Sequence, residues 1–184
     1  MTFERGRRMG VDVGNARVGL SICDPDGILA TPLKTLRRDL KKNSDRRVLR
    51  KLIEVNEIRE VFVGWPKTMR GGDSASTMMA KDYAQELAQE LAADGHNIAV
   101  WLVDERLTTV SAHRSLHEAG VSTRDFKTMV DQVAAVNILQ SAVDALKADQ
   151  KVAGYQIRSD SGSHASADIS RDPHGDEQDT ENPS

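Results

Sequence analysis

Met9-Gly10-Val11-Asp12-Val13-Gly14 is an apolar strand with a single carboxylate inside it. A strand this apolar is buried on at least one face, and an isolated buried carboxylate costs on the order of several kcal/mol. Such a group is kept only where a cation or a strong hydrogen-bond donor meets it. Side chains alternate along a strand, so Met9, Val11 and Val13 share one face while Gly10, Asp12 and Gly14 share the other. Asp12 is therefore flanked on its own face by residues without side chains, the usual mark of close approach by a ligand or another backbone.

Two later segments repeat this placement. Asp104-Glu105 closes the apolar run Ile98-Ala99-Val100-Trp101-Leu102-Val103. Asp131 lines up with Ala134/Ala135, Ile138 and Ala142 at helical spacing, and the small alanines predict close docking on a sheet. Hydrogen bonding to Asp131 from Arg124, Lys127 or nearby backbone is the structural alternative. Three acidic points on three buried elements suggest one centre for a hard cation, Mg²⁺ or Mn²⁺, which takes oxygen ligands. Without metal, such a cluster repels itself and raises at least one carboxylate pKa.

Strand patterns over 7–14, 17–23 and 28–35 are separated by the turns Gly14-Asn15 and Asp24-Pro25-Asp26-Gly27, which predicts antiparallel hairpins. A helix follows over 43–58, with Val48, Leu49, Leu52, Ile53 and Val55 on its apolar side. Glu60 to Gly64 reads as a buried strand and Trp65 to Asp73 as a loop. Ser74 is the expected N-cap of a long helix that Gly95 stops. The strand over 98–103, a helix over 110–119 and a last helix over 126–148 complete an α/β order. It predicts a mixed five-stranded sheet, hairpins first and parallel β/α units afterwards, flanked by helices.

The chain has 184 residues and a formal net charge of −3, which averages two unlike parts. From Ser159 onward there are seven acids and one base, leaving +3 on the remainder. The expectation is one domain over 1–153 and a disordered acidic tail over 154–184, either a solubilising extension or a decoy that competes with nucleic acid. No run approaches the roughly 18 apolar residues of a membrane span. The N-terminus has no apolar signal core, and the one cysteine, Cys23, lies in a strand pattern as a small core residue. The reading is a cytoplasmic protein.

Nine bases against two acids over 34–51 form a candidate phosphate-contacting patch, or else a solvated helix face. Arg5, Arg7, Arg8, Arg17, Lys67, Arg70 and Arg106 lie near predicted strand ends or loops and are further candidates for a nucleic-acid backbone. Trp65 suits base stacking or core packing. His113 and His117 have helical spacing but no third soft ligand, so they read as a solvated or half-buried pair.

Four segments carry a resemblance: Gly10-Val11-Asp12-Val13-Gly14 with Arg17-Val18-Gly19, Val63-Gly64-Trp65-Pro66, Asp104-Glu105-Arg106-Leu107-Thr108-Thr109, and Asp131 to Gln140. Together they resemble the YqgF/RuvX family of the ribonuclease-H-like superfamily over about residues 8–146. The resemblance implies a ribonuclease-H-like fold and a metal-dependent nuclease. It makes Asp12, Glu105 and Asp131 the catalytic and metal-holding triad, with Asp104 the alternative at the second position. Arg17, Lys67, Arg70 and Arg106 are the expected substrate contacts.

The implied substrate is structured RNA, the 5′ end of pre-16S rRNA, in ribosome biogenesis; the alternative is a Holliday junction in branched DNA. Either a monomer or a homodimer fits. Two departures stand out: Ala16-Arg17 where Lys-Arg or Lys-Ser is expected, and Arg70 in place of an acid. A non-catalytic nucleic-acid-binding module is the alternative outside enzymes. Gly10 to Asn15 is also similar to the first phosphate loop of actin-like ATPases, but those need two such domains and this chain supplies one.

Overall fold

In a computed structural model, the structure describes residues 3–105, 123–148 and 154–158. Six strands form one sheet in the order β3-β2-β1-β4-β5-β6. They are β1 (Arg8–Val13), β2 (Arg17–Cys23), β3 (Ala30–Arg37), β4 (Glu60–Trp65), β5 (Ala99–Asp104) and β6 (Gly154–Ile157). β1, β2 and β3 pair antiparallel, β1, β4 and β5 pair parallel, and β6 runs antiparallel to β5. The mixed α/β architecture is the expected one, with six strands in place of five.

β6 is the addition. Residues 154–157 fall within the span expected for the acidic tail, yet they pair with Val100–Val103. Only Ile157 of the four is buried, so no apolar run announces the strand. β3 also begins two residues later than its pattern suggests. The Asp24 carboxylate accepts hydrogen bonds from the Ile28 and Leu29 backbone N–H groups, which keeps both residues in an exposed loop.

Helices α1 (Ser44–Val55) and α2 (Ala75–Ala93) cover one face of the sheet. Leu49, Ile53, Tyr83, Leu87 and Leu91 pack there on Met9, Val11, Leu20, Val61, Val63 and Leu102. Val48 and Val55 of the expected α1 stripe are exposed instead, and Asp45 and Arg46 are buried in their stead. α2 starts where Ser74 predicts: its hydroxyl accepts from the Thr77 N–H, the Thr77 hydroxyl accepts from the Ser74 N–H, and Gly95 ends the helix with φ +82°.

On the other face lies α3 (Thr123–Lys147), whose Ile138, Leu139, Ala142 and Val143 pack on Cys23, Ala30, Phe62 and Val103. Two glycines let α3 approach at backbone distance. A Cβ on Gly10 would strike the Ala135 carbonyl, and one on Gly19 would strike the Asp131 carbonyl. Ser21 Oγ donates to the Ala135 carbonyl oxygen at 2.7 Å and fixes the helix there. The predicted helix over 110–119, His113, His117 and the chain beyond Arg158 lie outside the described residues.

Candidate acidic centre at the sheet end

Parallel pairing of β1, β4 and β5 brings their C-terminal ends to one edge of the molecule. Asp12 lies at that edge on the α3 face, since its cross-strand partner is Gly19, whose missing side chain admits the Asp131 backbone. Met9, Val11 and Val13 face α1 and α2, as the alternation predicts.

Glu105 follows directly after β5. Its carboxylate lies over Gly64, where any Cβ would collide with Oε1 and with Ile138 Cδ1. Ile138 belongs to the α3 face, so Glu105 and Asp12 share that face. Asp104 pairs with Trp65 and follows the alternation of Leu102, toward the α1/α2 face. The choice between Asp104 and Glu105 thus depends on how the chain leaves the strand, which spacing does not encode.

The electrostatics connect the three acids. Burial, then the charges of Glu105 and Asp131, push the Asp12 carboxyl up to about 7. Burial and then the neighbouring Asp104 push Glu105 up as well. Asp131 is ion-paired instead: its Oδ2 accepts from Arg17 Nε at 2.9 Å, with the side chains 22% and 37% exposed. Among the described residues, the partner of Asp131 is an arginine from β2, distant in sequence.

Oxygen donors suit a hard divalent cation, and the raised Asp12 shows charge that such a cation would offset. The set is not drawn together around one point. No three His, Cys, Asp or Glu side chains among the described residues are close enough to hold an ion as they stand.

The basic candidates separate. Arg70 is exposed in the loop after β4. Lys67 places Nζ 3.8 Å from the Trp65 ring centroid and 3.9 Å from Asp73 Oδ1. Trp65 packs against the α1/α2 core and meets Tyr155 edge-on at 5.1 Å, so its ring serves packing. Arg106 lies outside the described residues. Arg8 is buried on Glu60 at 2.6 Å and Arg5 pairs with Asp26, both at the opposite end from Asp12.

In the 34–51 run, Arg46 reaches Glu86 and Glu90, and Arg50 reaches Glu90 and Asp94, so these two tie α1 to α2. Lys34, Arg37, Lys41, Lys42 and Arg47 remain exposed. Arg38, one of the nine bases of this run, is half-buried and turned to a structural task. It donates from NH1 to the Gly14 carbonyl at 3.1 Å and from its backbone N–H to Ala16 at 2.9 Å. Its Nε stands 3.5 Å from Asp45, and Tyr83 donates to that carboxylate at 3.3 Å. Arg38 thereby holds the turn between Asp12 and Arg17. Its charge within a basic run gave no hint of this.

The family model described as "RuvX: Holliday junction resolvase" matches residues 6–145. A Mycobacteroides abscessus protein named "Putative pre-16S rRNA nuclease" is 50% identical over 136 residues, 74% of this chain and 80% of that protein. A Streptomyces avermitilis protein of the same name is 42% identical over 158 residues, 85% of this chain and 97% of that protein. Among solved structures, Thermus thermophilus RuvC with a Holliday junction substrate matches at a TM-score of 0.48 and 14% identity, covering 82% of this chain and 99% of that one. A family match over this span, joined by relatives of such identity, means that the chain belongs to the RuvX family.

Proposed function

We propose that this protein is a metal-dependent nuclease that trims the 5′ end of pre-16S rRNA, with Asp12, Glu105 and Asp131 as its catalytic and metal-holding residues. The observation that carries the reading is Asp12: a half-buried carboxyl on the same sheet face as two other acids, pushed up to about 7 by burial and their charges. Charge repulsion of this kind destabilises the fold, and a bound cation relieves it. The names of the relatives support the RNA substrate.

A bound Mg²⁺ or Mn²⁺ would supply neutralisation of a phosphodiester and activation of water for hydrolysis. The chain's own residues do the rest. Asp12 and Glu105 present oxygens from the ends of β1 and β5, on either side of β4, and α3 presents Asp131 on the same face. Arg17 keeps Asp131 compensated until a phosphate offers the guanidinium a second partner. Arg70 is free to meet the backbone of the strand.

Parallel cleavage assays on a 5′-extended 16S precursor RNA and a four-way DNA junction, with Mg²⁺ or Mn²⁺, test the proposal against Asp12→Asn. RNA cutting that the substitution abolishes is the expected result. Cutting of the junction alone favours the second reading, a Holliday junction resolvase, which the description of the family model supports. Equal cutting by the Asn variant would overturn the triad.

A further inference from the structure

The loop after β4 ends in a tight turn that is more ordered than a connecting loop requires. The Gly71 N–H donates to the Thr68 carbonyl at 2.8 Å, the Thr68 N–H donates to the Gly72 carbonyl at 3.1 Å, and the Gly72 N–H donates to Thr68 Oγ1 at 2.9 Å. Gly71 adopts φ +78°, which closes the turn at no steric cost. The loop is fixed at its base too, since Thr77 Oγ1 donates to the Pro66 carbonyl and Lys67 lies over Trp65.

Met69 stands at the tip of this turn, 94% exposed. A methionine fully in water on a braced turn gains nothing for the fold. Beside it is Arg70, exposed and without a partner among the described residues. The turn extends from the C-terminal end of β4, the same sheet edge that carries Asp12 and Glu105. An apolar tip next to a guanidinium, beside a carboxylate centre, matches the chemistry of stacked bases next to a phosphate. Apolar side chains that enter a base step unstack it, and methionine is one of the residues used in this way.

We infer that the turn Thr68–Gly71 is a wedge: Met69 enters between stacked bases of the bound strand while Arg70 holds the adjoining phosphate. The inference rests on the nuclease reading and extends it to substrate shape. A step that opens easily, at a junction, bulge or duplex end, is bound in preference to continuous duplex.

The test uses the full chain in EDTA, so that nothing is cut. The probes are a 5′-extended RNA hairpin and a four-way DNA junction, each with 2-aminopurine at the step beside the branch. Binding is read by anisotropy and unstacking by 2-aminopurine fluorescence. A fluorescence rise on binding that Met69→Ala removes and Met69→Leu restores is the expected result. Arg70→Gln should lower the salt dependence of binding by about one phosphate contact.

A rise on one probe only would assign the wedge to RNA or to DNA. Saturated binding with the same fluorescence for the wild type and Met69→Ala would overturn the wedge, as would failure to bind either probe. A protein that binds and unstacks but never cuts with metal added would keep the wedge and refute the nuclease reading.

Discussion

Glu105 occupies the space that a side chain at Gly64 would fill. The glycine beside Asp12 in the sheet is thus a condition for bringing the second carboxylate over β4. Gly64→Ala should displace Glu105 and press on Ile138, with an overpacking cost of about 1–3 kcal/mol and a rate loss of roughly 10- to 100-fold. Gly95→Ala is the comparison, because its strain comes from φ +82° with open space around the position. It should lower the melting temperature and leave cleavage alone. A Gly64→Ala protein that cuts at the wild-type rate would disconnect Glu105 from the chemistry.

Stability of the metal-free protein should fall as pH rises from about 4 to about 7. Asp12 titrates near 7 when folded and near 3.8 when unfolded, so across that window the folded state binds the extra proton. The loss levels off above 7. Glu105, also raised, acts in the same direction. Differential scanning at pH 5 and pH 8 checks this: Asp12→Asn should melt above the wild type at pH 8 and close to it at pH 5. Added Mg²⁺ should narrow the gap at pH 8.

Arg17→Gln should bind Mn²⁺ more tightly than the wild type in the absence of nucleic acid. The pair with Asp131 is partly exposed, so its worth is small, and an increase of roughly two- to fivefold is expected. Electron paramagnetic resonance titration of free Mn²⁺ reads it directly. The same variant should raise KM for the nucleic acid. Weaker Mn²⁺ binding would mean that Arg17 organises the carboxylates instead of competing for one of them.

Tyr83→Phe takes a hydrogen bond from buried Asp45 and should cost about 1–2 kcal/mol in urea unfolding. Asp45→Ala should cost more, roughly 2–4 kcal/mol, because half-buried Arg38 and Tyr83 then both lose the buried carboxylate they face. Burial and Asp45 also push the Tyr83 phenol above the ordinary tyrosine range. In spectrophotometric titration it should therefore ionise at higher pH than an ordinary tyrosine.

Truncation after Arg158 should leave the melting temperature within about a degree of the full chain. Truncation after Ala153 removes β6 and uncovers the edge of β5, and should lower it by roughly 5 °C or more. Equal melting of the two would make β6 dispensable and return the domain boundary to residue 153.

The parts legible in the sequence are those that local chemistry controls. Alternation placed Asp12 opposite Met9, Val11 and Val13, the alanines of α3 announced its close docking, and Ser74 and Gly95 bounded α2. The parts that were not legible depend on partners far away in the chain. Arg46 and Arg50 read as a phosphate patch because Glu86, Glu90 and Asp94 lie some forty residues on, in another helix. β6 shows one buried residue in four, which no periodicity detects. The β3 start moved because one carboxylate, Asp24, caps two backbone N–H groups beyond its own turn.

β6 runs antiparallel to β5, so Arg158 emerges beside the start of β5, at the opposite end of the sheet from Asp12 and Glu105. A surface anchor or fluorescent reporter joined near Arg158 therefore holds the molecule with its carboxylates outward. Single-molecule capture in this orientation would leave the face that meets the strand unobstructed.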